Sequence, residues 1–145
     1  MKNQIFILLL CFLGILSYDS ERAISYANTY CDKRNPDFGD YSSSFGDSPN
    51  FISQCLIAGG EDLSGYETDK FGSIIKTSVL EKYLNDNGWN SETSSSIPND
   101  FNAGGIIIDN SYAMIALTKT TYAAHSNDKC GATIYKGKHK YFWKN

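Results

Sequence analysis

The sequence predicts an α+β domain in which early helices pack on an antiparallel β-sheet. Two observations support this fold class. Apolar residues recur at helical spacing in three segments of the first 90 positions, and after position 105 the pattern changes to short runs rich in β-branched and aromatic residues. Helices that precede strands, instead of alternating with them, are typical of α+β architecture.

The N-terminal stretch has the pattern of a secretory signal peptide. Lys2 is followed by the 12-residue apolar run Ile5–Leu16, and then by the small residue Ser17. A membrane-spanning helix needs roughly 20 apolar residues, so we expect a cleaved leader over 1–17 in preference to an anchor. The remaining segment, 18–145, is long enough for one compact domain. We therefore expect a secreted, extracellular protein with no membrane contact after cleavage.

Three helices are predicted from the periodic segments. The first is "SERAISYANTYC", with Ser20 as its N-cap, and the second is "NFISQCLIA", opened by Ser48-Pro49 and stopped by Gly59-Gly60. The third is "TSVLEKYLNDNGW", for which Thr77 or Ser78 is the expected cap. Each carries apolar residues on one face, so all three should pack on the sheet.

Five strands are predicted after the helices: "GIIID", "YAMIALT", "TTYAAH", "ATIYK" and "KYFW". The lysine-rich context "YKGKHKYFWK" indicates that the last is a solvated edge strand with an exposed His139. The serine-rich segments "GDYSSSFGD" and "SETSSSIPNDFNAGG" are predicted to be loops that rim a groove.

Charge and residue pattern exclude several classes of function. With 13 basic and 16 acidic residues the formal net charge is −3, and no basic cluster points to nucleic acid or an anionic membrane. No cysteine pair has metal-ligand spacing, and a set of His125, Asp128 and Cys130 lacks a fourth ligand. We therefore expect no nucleic-acid partner, no cofactor and no metal; the sequence does not determine the oligomeric state.

Three cysteines remain after the predicted cleavage: Cys31, Cys55 and Cys130. An odd number in a secreted protein leaves at least one thiol free or shared between chains. Because Cys55 lies in an apolar helix, we predict a bond between Cys31 and Cys130, although the sequence leaves the other pairings open.

The segment "GDSPNFISQC" places Ser48 at the start of a helix. Unpaired N–H groups and the positive end of the helix dipole favour an anionic nucleophile there and can hold an oxyanion. The alternative explanation is structural, since a serine N-cap followed by a first-turn proline is an ordinary helix start.

The stretch "GDSPNFISQCLIAGG" resembles the signature of the putative amidase domain family, a branch of the papain-like and NlpC/P60-like cysteine hydrolases. The resemblance extends to "AISYANTYCDKRNPDFGDY", "VLEKYLNDNGW" and "SYAMIALTKTTYAAHSND", and covers about residues 20–128. It implies a papain-like fold, with the nucleophile on an early helix and the base on a later strand.

The same resemblance implies a degenerate catalytic site. The family's nucleophilic cysteine corresponds to Ser48, its histidine to Tyr112 and its later polar partner to His125, while Asp47 and Asn50 are the implied substrate-binding positions. A serine hydroxyl needs a base to become a nucleophile, and a tyrosine hydroxyl is a poor substitute for imidazole.

Three functions follow from these residues. The first is a secreted amidase-like domain that has lost hydrolysis and binds a peptide or peptidoglycan-like ligand at the former active site. The second is an active amidase or peptidase with Ser48 as nucleophile and His125 as base, which requires the two side chains to approach within hydrogen-bonding distance. The third is a secreted interaction module, which an exposed apolar patch away from Ser48 would favour. Whether the protein is an enzyme is left open by the sequence.

Overall fold

The computed structural model describes residues 17–44 and 47–145. In these ranges the chain forms three helices, α1 Ser20–Tyr30, α2 Asp47–Ala58 and α3 Thr77–Asp86. Six strands follow: β1 Asn90–Ser94, β2 Ile106–Asp109, β3 Tyr112–Ala116, β4 Thr121–Ala124, β5 Lys129–Thr133 and β6 His139–Trp143. The predicted leader falls almost entirely on residues 1–16, which lie outside the described residues. Within the described ranges, no helix has the length and apolar character needed to cross a membrane.

The strands form one antiparallel sheet in the order β1-β6-β2-β3-β4-β5, which confirms the predicted α+β class with helices before strands. Several details of the prediction were wrong, and the strand expected at "ATIYK" lies three residues earlier, at Lys129–Thr133. The segment Asn90–Ser94, expected to be loop, is an edge strand paired with β6. As a result β6 lies inside the sheet, and His139 is buried with its Nε2 2.9 Å from the Tyr135 carbonyl oxygen.

The sheet has two different faces because side chains alternate along each strand. The helices cover one face, where Phe51, Ile52 and Leu56 of α2 are fully buried in the same cluster as Ala113 and Ile115 of β3. On the other face, the loop residue Phe101 packs against strand residues that include Ile107, Tyr141 and Trp143. That loop covers only part of the second face.

The helix ends differ from the predicted caps. The N-cap of α1 is Asp19, whose carboxylate accepts a hydrogen bond from the Arg22 amide, so Ser20 is the first helical residue. At α3 the N-cap position is Lys76, and the hydroxyl of Thr77 instead donates to the Ser111 carbonyl. Helix α2 ends as predicted: a Cβ on Gly59 would lie 2.6 Å from the ring of Tyr18.

The predicted disulfide between Cys31 and Cys130 is confirmed, and it joins the end of α1 to β5. Cys55 is free and fully buried in α2, as expected for a core thiol. Burial raises the pKa of this thiol well above its ordinary value, so it stays protonated.

Candidate functional site

The N-terminus of α2 gathers four of the five residues that the sequence analysis singled out. Asp47, Ser48 and Asn50 belong to its first turn and are buried, and His125 lies against the same helix. The helix begins at Asp47, two residues before the first helical position that a Ser48 N-cap predicts, so Ser48 is a helical residue and not the N-cap. The explanation of Ser48 as a capping serine was therefore wrong.

The hydroxyl of Ser48 is bonded to both backbone groups of Ala113 on β3. The Ala113 amide donates to Ser48 Oγ over 2.6 Å, and Oγ donates back to the Ala113 carbonyl over 3.0 Å. Both contacts are buried and join positions 65 residues apart. This reciprocal pair fastens the start of α2 to the sheet.

Ser48 bonds β3 at a point where the neighbouring strand β4 has already ended. Ile115 pairs with Ala123, and the Leu117 amide donates to Thr121, so these odd-numbered residues direct their backbone groups towards β4. The next pair in an antiparallel ladder would join Ala113 to His125, but β4 ends at Ala124. Ser48 Oγ bonds the two backbone groups that this absent pair would have satisfied.

The ring of His125 stacks on Phe51. The ring centroids are 3.9 Å apart and the planes differ by 14°. Nδ1 lies 3.0 Å from Asp47 Oδ2, and Nε2 lies 2.7 Å from the Tyr30 carbonyl oxygen. Each ring nitrogen of His125 therefore faces an oxygen atom of the protein. Among the described residues, no hydrogen bond joins His125 to Ser48.

Asp47 lies at the centre of a buried ionic cluster. Its Oδ2 is 2.9 Å from Arg34 Nε and 3.0 Å from His125 Nδ1, while Oδ1 accepts from the Tyr41 amide. Burial by itself would raise the pKa of this carboxyl, but the contacts with His125, Asn50 and Arg34 outweigh burial and lower it. Asp47 is thus a structural anion whose negative charge is already matched.

Arg34 extends the cluster towards the sheet. Its Nη2 donates to Asp128 Oδ1 over 3.0 Å, so one guanidinium connects the loop after α1, the start of α2 and the turn before β5. Arg34 was not among the predicted site residues. The available signal was its position as the one arginine in the segment between α1 and α2.

Asn50 is fully buried and belongs to a chain of side-chain hydrogen bonds. Its amide donates to the Gly39 carbonyl, and its Oδ1 accepts from Gln54, whose Oε1 accepts from the hydroxyl of Tyr26. Burial raises the pKa of Tyr26 to about 12, so this hydroxyl remains a donor at physiological pH. Asp47 and Asn50, the implied substrate-binding positions, both have their polar atoms committed to neighbouring elements.

Tyr112 does not join the other four residues. It is 49% exposed and lines a cavity with Met114 and Tyr122, on the sheet face opposite to the helices. The β3 residue that faces α2 is its neighbour Ala113, which has no polar side chain. The side chain at the position assigned to the family's histidine, Tyr112, therefore lies on the sheet face away from Ser48.

The arrangement lacks the proton acceptor that a hydroxyl nucleophile requires. Ser48 Oγ contacts backbone groups, and the nearby imidazole is engaged by Asp47 and the Tyr30 carbonyl. Of the residues considered for a metal, Cys130 is in the disulfide and Asp128 is paired with Arg34. The close group Cys31, Asp32 and Cys130 likewise contains both sulfurs of that bond.

The sequence of this chain is similar to those of known proteins. The family model described as "Putative amidase domain" matches residues 17–130. The uncharacterized protein YhbB of Bacillus subtilis (strain 168) is 39% identical over 61 residues, which are 42% of this chain and 19% of that protein. The chain thus spans about a fifth of the curated relative that it matches. No solved structure matches it.

Proposed function

The chain belongs to the putative amidase domain family, and we propose that it is a secreted member which has lost hydrolysis and binds peptide ligands. We also propose that its fold is the papain-like, NlpC/P60-like arrangement. The position of Ser48 at the start of α2, against β3 of an antiparallel sheet, supports this assignment. It is the geometry that brings a helix-borne nucleophile next to a strand-borne base.

The observation that carries the proposal is the bonding of Ser48. Its hydroxyl both accepts from and donates to the backbone of Ala113, so an attack on a substrate would break two buried hydrogen bonds. The hydroxyl also has no imidazole to remove its proton. Loss of a base typically lowers the rate of a triad hydrolase by several orders of magnitude.

The alternative of an active Ser48–His125 hydrolase has less support. His125 would have to leave the Asp47 carboxylate and the Tyr30 carbonyl, and give up its stack on Phe51, before a ring nitrogen could accept a proton from Ser48. Each buried polar group left unpaired by that movement would cost about 1–3 kcal/mol.

Peptide binding has its own supporting observation. Exposed aromatic side chains, Tyr112 and Tyr135, lie on the sheet face away from Ser48. This is the kind of surface that favours an interaction role over chemistry in the cleft. The leader-like N-terminus supports a location outside the cell, where peptides and peptidoglycan fragments are available as ligands.

An amidase assay tests the proposal. The wild-type protein and Ser48→Ala are incubated with peptide and peptidoglycan substrates, and released amines are measured. We expect no turnover from either protein. Turnover by the wild type that disappears in Ser48→Ala, but persists in the exposed-serine control Ser25→Ala, would reject the loss of hydrolysis. N-terminal sequencing of the protein recovered from the medium tests secretion, with residue 18 as the expected first residue.

A further inference from the structure

A groove lies on the sheet face opposite to the helices, apart from the contact between Ser48 and Ala113. Its volume is about 240 Å³, which is below the roughly 300 Å³ of typical small-molecule pockets and corresponds to part of a larger ligand. The strands β3 and β4 form its floor, and the segments on either side of β5 form its walls. The lining residues are Tyr112, Met114, Tyr122, Ala124, Ser126, Asn127, Lys129 and Tyr135.

One end of the groove is aromatic and held in place. Tyr112 and Tyr135 are 49% and 44% exposed, whereas Tyr122 is buried beneath them. The hydroxyl of Tyr135 donates to Asp109 Oδ2 over 2.6 Å, and its ring meets the edge of His139 at 4.8 Å between centroids. Because these contacts fix Tyr135, the aromatic end is formed before a ligand arrives, which lowers the entropy cost of binding.

The other end offers hydrogen-bond donors and a positive charge. Ser126 Oγ is buried and has no hydrogen-bond partner among the described residues, an arrangement that is costly unless a ligand or water completes it. Lys129 forms no ion pair in the described part of the chain, and the adjacent Asp128 is paired with Arg34. No carboxylate lines the groove, so this end favours an anionic group of a ligand.

A free sheet edge runs beside the groove. β5 is the last strand in the sheet order and pairs only with β4, so its outer edge has no neighbouring strand in the described chain. The side-chain position of Gly131 in this strand is also unoccupied, since a Cβ built there would meet nothing within 4 Å. An extended peptide can use such backbone groups, whereas a glycan has no matching main chain.

We propose that this groove binds a short acidic peptide segment, with an apolar or aromatic side chain between Tyr112 and Tyr135 and a carboxylate at Lys129. The inference rests on the proposed peptide-binding function and gives that function a surface and a ligand chemistry. It places the binding site on the side of the sheet opposite to Ser48.

Calorimetric titration with end-blocked tripeptides tests the assignment. The probe is Asp-Phe-Glu, and the matched probes Asn-Phe-Gln and Asp-Ala-Glu remove the charges or the aromatic ring. We expect Tyr112→Ala to weaken binding of the first probe by about tenfold or more. Lys129→Gln should weaken it about fivefold at low salt and remove most of its salt dependence.

The control pair lies in a loop far along the chain from the groove residues, where Lys70 Nζ sits 5.0 Å over the ring of Phe71. Phe71→Ala removes an exposed aromatic ring, as Tyr112→Ala does, and Lys70→Gln removes a lysine charge, as Lys129→Gln does. Both control variants should bind Asp-Phe-Glu with an affinity within twofold of the wild type. Thermal melts establish that all four variants are folded.

The outcomes separate the groove from the broader function. Wild-type affinity in Tyr112→Ala and Lys129→Gln, or equal binding of Asn-Phe-Gln, overturns the groove assignment and leaves peptide binding elsewhere intact. Absence of binding by all three probes up to about 1 mM overturns both. Tighter binding of N-acetylmuramic acid, in competition with Asp-Phe-Glu, identifies a glycan site and overturns the peptide assignment. Cleavage of a probe, detected by mass spectrometry, contradicts the loss of hydrolysis alone.

Discussion

Ser48→Ala should destabilise the protein, because the Ser48 hydroxyl satisfies two buried backbone groups that have no substitute. Removal of Oγ leaves the amide and carbonyl of Ala113 without these bonds, whose lengths are 2.6 Å and 3.0 Å. A buried donor or acceptor left unpaired costs about 1–3 kcal/mol. For the two groups together we expect a loss of about 2–4 kcal/mol in the free energy of unfolding, since partial relaxation offsets some of the cost.

Thermal and urea denaturation followed by circular dichroism measure this loss. At about 4 °C per kcal/mol for a domain of this size, the midpoint of Ser48→Ala should fall by roughly 8–16 °C. Ser25→Ala is the matched control, because Ser25 is an exposed serine on α1 and its removal should change stability by less than about 0.5 kcal/mol. Ser48→Cys should fall between the two, since a thiol is a weak donor and acceptor. If Ser48→Ala and Ser25→Ala have the same melting midpoint, the Ser48 hydroxyl does not stabilise the contact between α2 and the sheet. The structural explanation of position 48 then fails.

Three further predictions concern the same region. Asp47→Asn should cost about 1–3 kcal/mol, because it removes the carboxylate charge beside Arg34 Nε and His125 Nδ1 while Arg34 keeps its contact with Asp128. Because the pKa of Asp47 is lowered in the folded state, its stabilising contribution is complete above the unfolded value near 4 and is lost as the pH falls through the folded value; urea titrations from about pH 5 to pH 2 should therefore show a shallower acid loss in Asp47→Asn than in the wild type. The Cys31–Cys130 bond closes a sequence separation of 99 residues, so the double serine variant should lose about 2–5 kcal/mol, and a reducing agent should lower the melting midpoint of the wild type but not of that variant. The double variant Ser48→Cys, Tyr112→His restores both family residues by sequence and should still show no amidase turnover, because the side chain at 112 lies on the opposite sheet face; measurable turnover would contradict that placement.

The features that the sequence predicted well are those set by local pattern. The three helices follow from apolar periodicity, and the sheet from short β-branched and aromatic runs. The disulfide agrees with the pairing that the sequence favoured, which rested on the position of Cys55 in an apolar helix. Each of these inferences needs only neighbours in the sequence or the exclusion of one residue.

The features that were missed depend on partners far away in the sequence. β1 carries no apolar alternation, because Asn90–Ser94 is an exposed edge strand held by pairing with β6 about 50 residues later. The burial of His139 follows from the same pairing, which turns an expected edge into an interior strand. Such contacts leave no local pattern, so the lysine-rich surroundings of His139 predicted exposure instead.

In the candidate site, too, local pattern predicted some features and missed those that depend on distant partners. The sequence identified the right stretch of chain, since Asp47, Ser48 and His125 do converge at the start of α2. It could not place Tyr112, because a strand turns alternate side chains to opposite faces and an uncertainty of one residue decides which side chain meets the helix. In the structure Ala113 is the residue that faces Ser48.

The family signature in this chain can be explained by folding contacts alone. Asn50 links α2 to the loop at Gly39, and Gln54 continues that link to α1. Ser53 Oγ bonds both the amide and the carbonyl of Ile74, in the same way that Ser48 bonds those of Ala113. Two serines of one helix thus complete the backbone bonding of two separate segments: Ala113 on the side where β4 has ended, and Ile74, which lies outside the strands. Each of these contacts is structural, so the signature residues of this chain can be explained without a reaction, and a reaction at Ser48 would need a proton acceptor that the described contacts of its hydroxyl do not supply.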